Sequence, residues 1–307
     1  MKRIVSVSIG SSKRNHSVEV ELLNEKFIIE RIGTDGSIDK AIELIKELDG
    51  NVDAFGMGGI DLYLYCANKR YTIKDAIPIK EAAKTTPIVD GSGLKNTLER
   101  RVIEYINKNI LPIKDKKVLM TSAVDRFGMA ETFYSLGADV LFGDVIFALN
   151  IPIPIRSYKL LSKVASVVAP IAVRMPFDKL YPTGKEQDII ITKYEKYYEE
   201  AEIIAGDFLF IKKYMPKDMV GKIIVTNTVT KEDVEDLRCR GINMLITTTP
   251  EFNGRSFGTN VMEALIVSIL GKNGDEVTPG EYEEVLDRLK FVPRIEYLNE
   301  IRVKEAR

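Results

Sequence analysis

Residues 116 to 142 read KKVLMTSAVDRFGMAETFYSLGADVLF. Lys117 to Thr121 is a short apolar run with the character of a buried strand, Ser122 to Leu136 carries the apolar stripe of a helix, and Gly137 to Phe142 is a second strand. Strand, helix and strand of this length form a βαβ unit, whose parallel pairing needs a right-handed crossover. Downstream, strand-like runs recur at Ile203 to Ile211, Lys222 to Thr226 and Met244 to Thr247. Helical patterns fall near 157 to 170, 192 to 200, Lys231 to Arg240 and Val261 to Leu270. This alternation predicts an open, mainly parallel α/β sheet.

Upstream of that stretch, Arg3 to Ile9, Val18 to Leu23, Lys26 to Ile32 and Val52 to Phe55 read as strands. Thr34 to Ser37 is a turn and cap before an amphipathic helix marked by Ile38, Ala41, Ile42, Leu44 and Ile45. Pro87 to Asp90 leads through Gly91-Ser92-Gly93 into a helix from about Leu94 to Asn109. The polar, proline-bearing linker at 111 to 117 predicts a domain boundary. The expected division is therefore 1–112 as an N-terminal α/β domain, 113–275 as the parallel-sheet domain, and 276–307 as a C-terminal helix and tail packing across the body.

With 307 residues, 45% hydrophobic and 29% charged, the chain has the make-up of a globular protein. A net charge of -1 gives no electrostatic reason to expect nucleic acid or an anionic membrane surface. No apolar run approaches the roughly 20 residues that span a bilayer, and no cleavage site follows the alternating start, so a cytoplasmic location is expected. Cys66 and Cys239 are isolated and His16 is the only histidine. That composition argues against a zinc site, a disulfide framework or a Ser-His-Asp triad, and no metal is expected.

In an open α/β sheet ligands gather beyond the carboxyl ends of the strands, so the strand-to-helix turns are the candidates. Three stand out. Residues 247 to 260, TTTPEFNGRSFGTN, combine Gly254 and Gly258 with Arg255, Ser256, Thr259 and Asn260. Flexible backbone, hydroxyl and amide donors, and a guanidinium before a helix start suit an anion. They suit equally a well-capped helix with Arg255 paired to a structural carboxylate. Around Asp90, Lys95 lies on the first helical turn, where lysine and aspartate sharing a pocket could relay a proton; a surface lysine is the plainer alternative. Gly56-Met-Gly-Gly-Ile-Asp61 has two glycines of a dinucleotide fingerprint but lacks the third. Thr230 with Asp233 reads as a capping box, a structural feature.

Residues 116 to 142, with their strand, turn, helix and "LGAD-V" second strand, resemble the shikimate and quinate dehydrogenase family. Asp90-Gly-Ser-Gly93 followed by Asn96-Thr97 is similar to that family's catalytic-aspartate stretch, and Lys84-Thr-Thr-Pro87 to its lysine region. Two departures stand out: Ser122 to Arg126 replaces the family's glycine-rich phosphate turn, and Leu98 stands where the family has aspartate. The resemblance implies a mainly parallel Rossmann-like sheet with a second, N-terminal α/β domain that holds substrate. It implies reversible oxidation of a ring hydroxyl of a quinate- or shikimate-like acid by NAD or NADP. Lys95 or Lys84 with Asp90 would be the proton relay. Thr121, Ser122, Asp125, Arg126 and Asp144 would lie at the cofactor, the last near the adenosine ribose. The alternative expectation is a non-redox protein, sensor or enzyme, that binds a phosphorylated or carboxylated metabolite at its anion-suited turns. Either way the expected partner is a small anionic metabolite, with a homo-oligomer left open.

Overall fold

The computed structural model describes residues 1–66, 69–176, 191, 193–252 and 255–300. The chain forms two compact α/β units, which divide inside the helix Ser92–Asn109 rather than in the linker at 111 to 117. The first collects residues 1–98, 257–291 and the described part of 162–187; the second holds 99–161 and the described parts of 188–256 and 292–307. The helix Pro279–Arg288 thus belongs to the first unit.

The first unit is built on a five-stranded sheet of order β2-β3-β1-β4-β7. Its strands are β1 (Lys2–Ser8), β2 (His16–Leu22), β3 (Glu25–Gly33), β4 (Ala54–Gly58) and β7 (Ile88–Val89). All pair in parallel except β2, which folds back on β3 through a turn with Leu23 and Asn24 both at positive φ. Two successive positive-φ residues give the twist a two-residue hairpin needs. Side chains alternate across a strand, so Val5, Val7, Phe55 and Met57 share a core with Ala41 and Ile45 of the helix Ile38–Leu48. The intervening Ser6 and Gly56 meet Asn260 of the helix Thr259–Leu270. A Cβ on Gly56 would lie 2.9 Å from the Asn260 carbonyl oxygen, so this glycine serves helix-to-strand packing. The stretch between β4 and β7, without a clear period in sequence, contains a small hairpin of β5 (Tyr63–Cys66) and β6 (Lys69–Thr72).

The second unit carries a six-stranded sheet of order β15-β12-β11-β10-β8-β9. β8 (Lys117–Met120), β9 (Asp139–Phe142), β10 (Ile203–Ala205), β11 (Ile223–Thr226) and β12 (Met244–Thr247) are parallel, as the sequence pattern predicts. β15 (Arg294–Tyr297), unforeseen in sequence, adds antiparallel to β12. The run Ile203 to Ile211 is not one strand. It breaks at Gly206, with φ +139°, and Asp207, whose side chain caps the helix Phe208–Tyr214. Both halves contribute buried residues to one core, Ile204 from the strand and Phe208 and Ile211 from the helix, so the apolar run shows no period to separate strand from helix. The helix expected from Ser122 begins at Phe127, because residues 122 to 126 form the turn. β13 (Glu251–Phe252) and β14 (Arg255–Ser256) make a short ladder within the stretch 247 to 260. Thr230 and Asp233 form the capping box of the helix Lys231–Cys239. Among the described residues no helix is long and apolar enough to cross a membrane.

Candidate functional site

Within the first unit a cavity of about 330 Å³ opens beside the carboxyl end of β7. Its floor is Asp90, the residue after β7, with Glu263 from the middle of the helix Thr259–Leu270. Asp90 is saturated. One oxygen accepts the Leu62 and Tyr63 N–H groups at 2.6 and 3.0 Å, and the other accepts the N–H and hydroxyl of Ser92 at 3.1 and 2.6 Å. It therefore ties the β5 entrance to the helix start, a structural task for a residue the sequence suggested as a proton relay.

Glu263 is 3% exposed, accepts the Gly91 N–H at 2.6 Å and is bonded by the Tyr282 hydroxyl at 2.5 Å. Burial, then the neighbouring Asp90 charge, pushes its carboxyl up to about 8. Near neutrality Glu263 is thus held in its protonated form at the cavity floor. The two glycines of Gly91-Ser92-Gly93 exist for this packing. A Cβ on Gly91, at φ +95°, would lie 2.5 Å from the Asn260 nitrogen, and one on Gly93 would lie 2.3 Å from Glu263 Oε1.

The cavity mouth is charged and aromatic, with Arg70 and Lys80 set beside Asp275 and Glu276. Arg70 of β6 stacks over the Tyr63 ring at 4.1 Å, and Lys80 Nζ donates to the Tyr63 hydroxyl at 2.9 Å. Arg70, Lys80 and the Tyr63 hydroxyl all converge on one carboxylate, that of Asp275, at 2.9, 2.8 and 3.3 Å. Tyr65 lines the wall; burial raises its hydroxyl above the ordinary value despite the nearby Arg70. Lys84 also lines the cavity, while its backbone N–H, with those of Thr85 and Thr86, wraps the Asp49 carboxylate. Burial opposes the ionised form of Asp49, and these bonds hold it well below the usual carboxylate range. Lys95 points elsewhere, its Nζ 3.3 Å from Asp61. Of the suggested relay residues, Asp90 and Lys84 both line the cavity and Lys95 pairs with Asp61. Arg70, Lys80, Glu263 and Asp275 escaped sequence reasoning. Glu263 alone left a signal, as the one charge inside the run Val261 to Leu270.

In the second unit, the turn after β8 is occupied from within. Asp144 accepts the Ala123 and Val124 N–H groups at 3.1 and 2.8 Å, and burial pushes its carboxyl up to about 6. Ser122 Oγ accepts the Asp207 N–H, and the Thr121 hydroxyl reaches the Ala205 carbonyl. Arg126 is 3% exposed and pairs with Glu99 and, at 3.1 Å, with Asp207; Asp125 lies 3.9 Å from its Nε. A dinucleotide pyrophosphate would need the amides that Asp144 holds and would face Asp125 and Asp207 as well. The residues do not fit that group as they stand.

Of the third candidate stretch, Gly254 lies outside the described residues, and only the backbone of Arg255 and Ser256 is described. Gly258 is the residue before the helix Thr259–Leu270, where Thr259 opens the first turn and the Asn260 amide donates to Ser6 Oγ at 2.9 Å. Phe257 is buried against His16, with ring centroids 4.8 Å apart. Among the described residues no group of three or more His, Cys, Asp or Glu could hold a metal ion.

Solved structures with a similar course include a hetero-hexameric glutamate dehydrogenase from Thermus thermophilus, at 12% identity and TM-score 0.43, covering 94% of this chain and 73% of that one. A glucose-galactose binding protein from Geobacillus stearothermophilus is similar at 11% identity and TM-score 0.38, covering 98% and 99%. An NAD-dependent malic enzyme from Thermotoga maritima is similar at 14% identity and TM-score 0.32, covering 94% and 72%. Dehydrogenases and a sugar-binding protein stand side by side, and at these scores neither likeness bears on what this chain does. No curated protein matches the chain in sequence. A domain of unknown function (DUF8753) matches residues 3–90. The larger match covers residues 93–298, and by it the chain belongs to the family described as a domain of unknown function (DUF8754).

Proposed function

We propose that the first unit binds a small anionic metabolite, carboxylated or phosphorylated, in the cavity beside β7. One observation carries the reading: two cations and a phenol from separate elements, Arg70, Lys80 and Tyr63, converge on a single carboxylate at the cavity mouth. Arginine provides a planar fork and lysine a point charge, the pairing that anion recognition uses. Saturated Asp90, Ser92 and Thr86 give the interior a polar lining against which hydroxyls can rest. Calorimetric titration with quinate, shikimate and phosphorylated sugars tests the reading. Saturable binding that Arg70→Ala abolishes supports it, whereas binding unchanged by Arg70→Ala and by Lys80→Ala sinks it.

The second reading is the NAD(P)-dependent oxidation of a quinate-like ring hydroxyl. What favours it is the parallel strand order of the second unit, which sets the turns after β8 and β10 side by side, the usual place for a dinucleotide. It ranks second because Asp144 already holds the turn's amides. Fluorescence titration with NADH and NADPH separates the two readings, made clean by the absence of tryptophan and controlled by Ser122→Tyr. Saturable binding that the substitution abolishes would move the redox reading to first place.

A further inference from the structure

The geometry points to Asp275 as the residue that sets what the cavity accepts: an internal carboxylate seated among Arg70, Lys80 and Tyr63, which an incoming anion replaces and a neutral ligand does not. This inference rests on the proposed anion-binding role of the cavity. Asp275 uses both oxygens, Oδ1 toward Arg70 Nη1 and the Tyr63 hydroxyl, Oδ2 toward Lys80 Nζ. The cluster thus already holds a bound carboxylate, supplied by the chain itself.

Two features make that carboxylate an occupant rather than a strut. The receiving groups keep one another in place without it, since Tyr63 carries Arg70 on its ring face and bonds Lys80 through its hydroxyl. The ion pairs are also open to water, with side chains of Arg70 and Asp275 each 45% exposed and Lys80 34%. Pairs in that setting are weak and exchange readily. Burial alone would raise the Asp275 carboxyl, yet Lys80 and Arg70 hold it below its ordinary value, so the occupant is an anion at neutral pH.

Asp275 is also delivered by fixed backbone. It sits on the single turn Gly274–Glu276, which Asn273 and Glu276 close with a capping box. That turn lies on β7, where a Cβ at Gly274 would be 2.4 Å from Val89 Cγ1. An anion that takes the place of Asp275 recovers the same three donors, and the freed carboxylate returns to water. A neutral polyol can offer Arg70 and Lys80 no charge in exchange and is excluded by the same contact.

Titration of the full chain with quinate as the carboxylate probe and inositol as the neutral one, in the parent and in Asp275→Asn, tests this. The substitution keeps the shape and removes the internal charge, so quinate should bind on the order of tenfold more tightly while inositol is unchanged. The double variant Arg70→Ala with Asp275→Asn should lose the gain. Equal quinate affinity in parent and variant overturns the role of Asp275 and leaves the binding site standing. A matching gain for inositol overturns it too, since the cavity would merely have opened. Absence of quinate binding in both chains overturns the inference together with the reading beneath it.

Discussion

Two ion clusters with nearly the same chemistry sit in the two units, and burial separates their roles. The Arg126–Glu99 pair is sealed, the two side chains 3% and 2% exposed, and Asp207 reaches the arginine from a site 23% exposed. Arg70 and Lys80 with Asp275 lie at 34 to 45% exposure. In the sealed cluster every partner is fixed by the protein, and the cost of exposing any one to its neighbours' unpaired charge is large. In the open cluster water screens each pair, so a partner can leave at little cost. An arginine beside carboxylates therefore says little about function until its exposure is known.

The sharpest way to break the comparison is to cut both clusters at their arginines. Arg126→Ala removes the buried ion pair with Glu99 together with the Asp207 contact and should cost about 3–5 kcal/mol in urea unfolding. Arg70→Ala should cost under about 1 kcal/mol. The double change Arg126→Met with Glu99→Met should recover most of the first loss, because apolar groups of similar size need no partner. Similar losses for Arg126→Ala and Arg70→Ala would erase the distinction.

Next in size is the packing behind the cavity. Gly93→Ala drives a Cβ to within 2.3 Å of Glu263 Oε1 and 2.9 Å of the Tyr282 oxygen, neither of which can retreat from its buried site. Overpacking of this kind should lower stability by roughly 1–3 kcal/mol. Gly280→Ala, whose new Cβ meets nothing within 4 Å beyond its own chain neighbours and helix backbone, is the unobstructed control and should show no loss.

Glu263 extends the comparison to pH. Its folded value, about 8, lies above the ordinary 4.5, so the folded state holds that proton more tightly than the unfolded chain. The stabilising contribution is fully present below about 4.5 and is lost as pH rises through 8. Unfolding curves from pH 5 to 9 should show stability falling toward pH 8 and levelling above it, and Glu263→Gln, which cannot ionise, should flatten the fall. A parent curve already flat there would mean that Tyr282 and the Gly91 amide compensate the buried charge fully.

Local signals were legible in the sequence: the alternation that predicts parallel strands, the Thr230–Asp233 capping box, and the glycines Gly91 and Gly93 at the start of the helix Ser92–Asn109. What the glycines are for was not. Gly91 and Gly93 admit Asn260 and Glu263, some 170 positions along the chain, and nothing in their neighbourhood announces that approach. The charged mouth was equally hidden, since Arg70 and Lys80 meet Asp275 across 205 and 195 residues. The turn after β8 shows the opposite case. Its serine, aspartate and arginine read as ligand-facing groups, yet their bonds return to the protein. A polar residue at a strand end has two sets of possible partners, and sequence names only the residue.

The smallest effect expected is also the most telling for the open cluster. Asp275→Asn removes one half-exposed carboxylate that three donors share. Its amide oxygen can still accept from Arg70 or Lys80, and the backbone turn keeps its Asn273–Glu276 capping box. Stability at neutral pH should change by less than about 1 kcal/mol, measured by urea unfolding. Below the carboxylate range the parent should lose even that difference, because the lowered Asp275 value means its contribution is present above 3.8 and fades as pH falls through the folded value. A loss of several kcal/mol would place Asp275 with Arg126 among the structural charges, and the cavity mouth would then be a closed seam rather than an exchangeable seat.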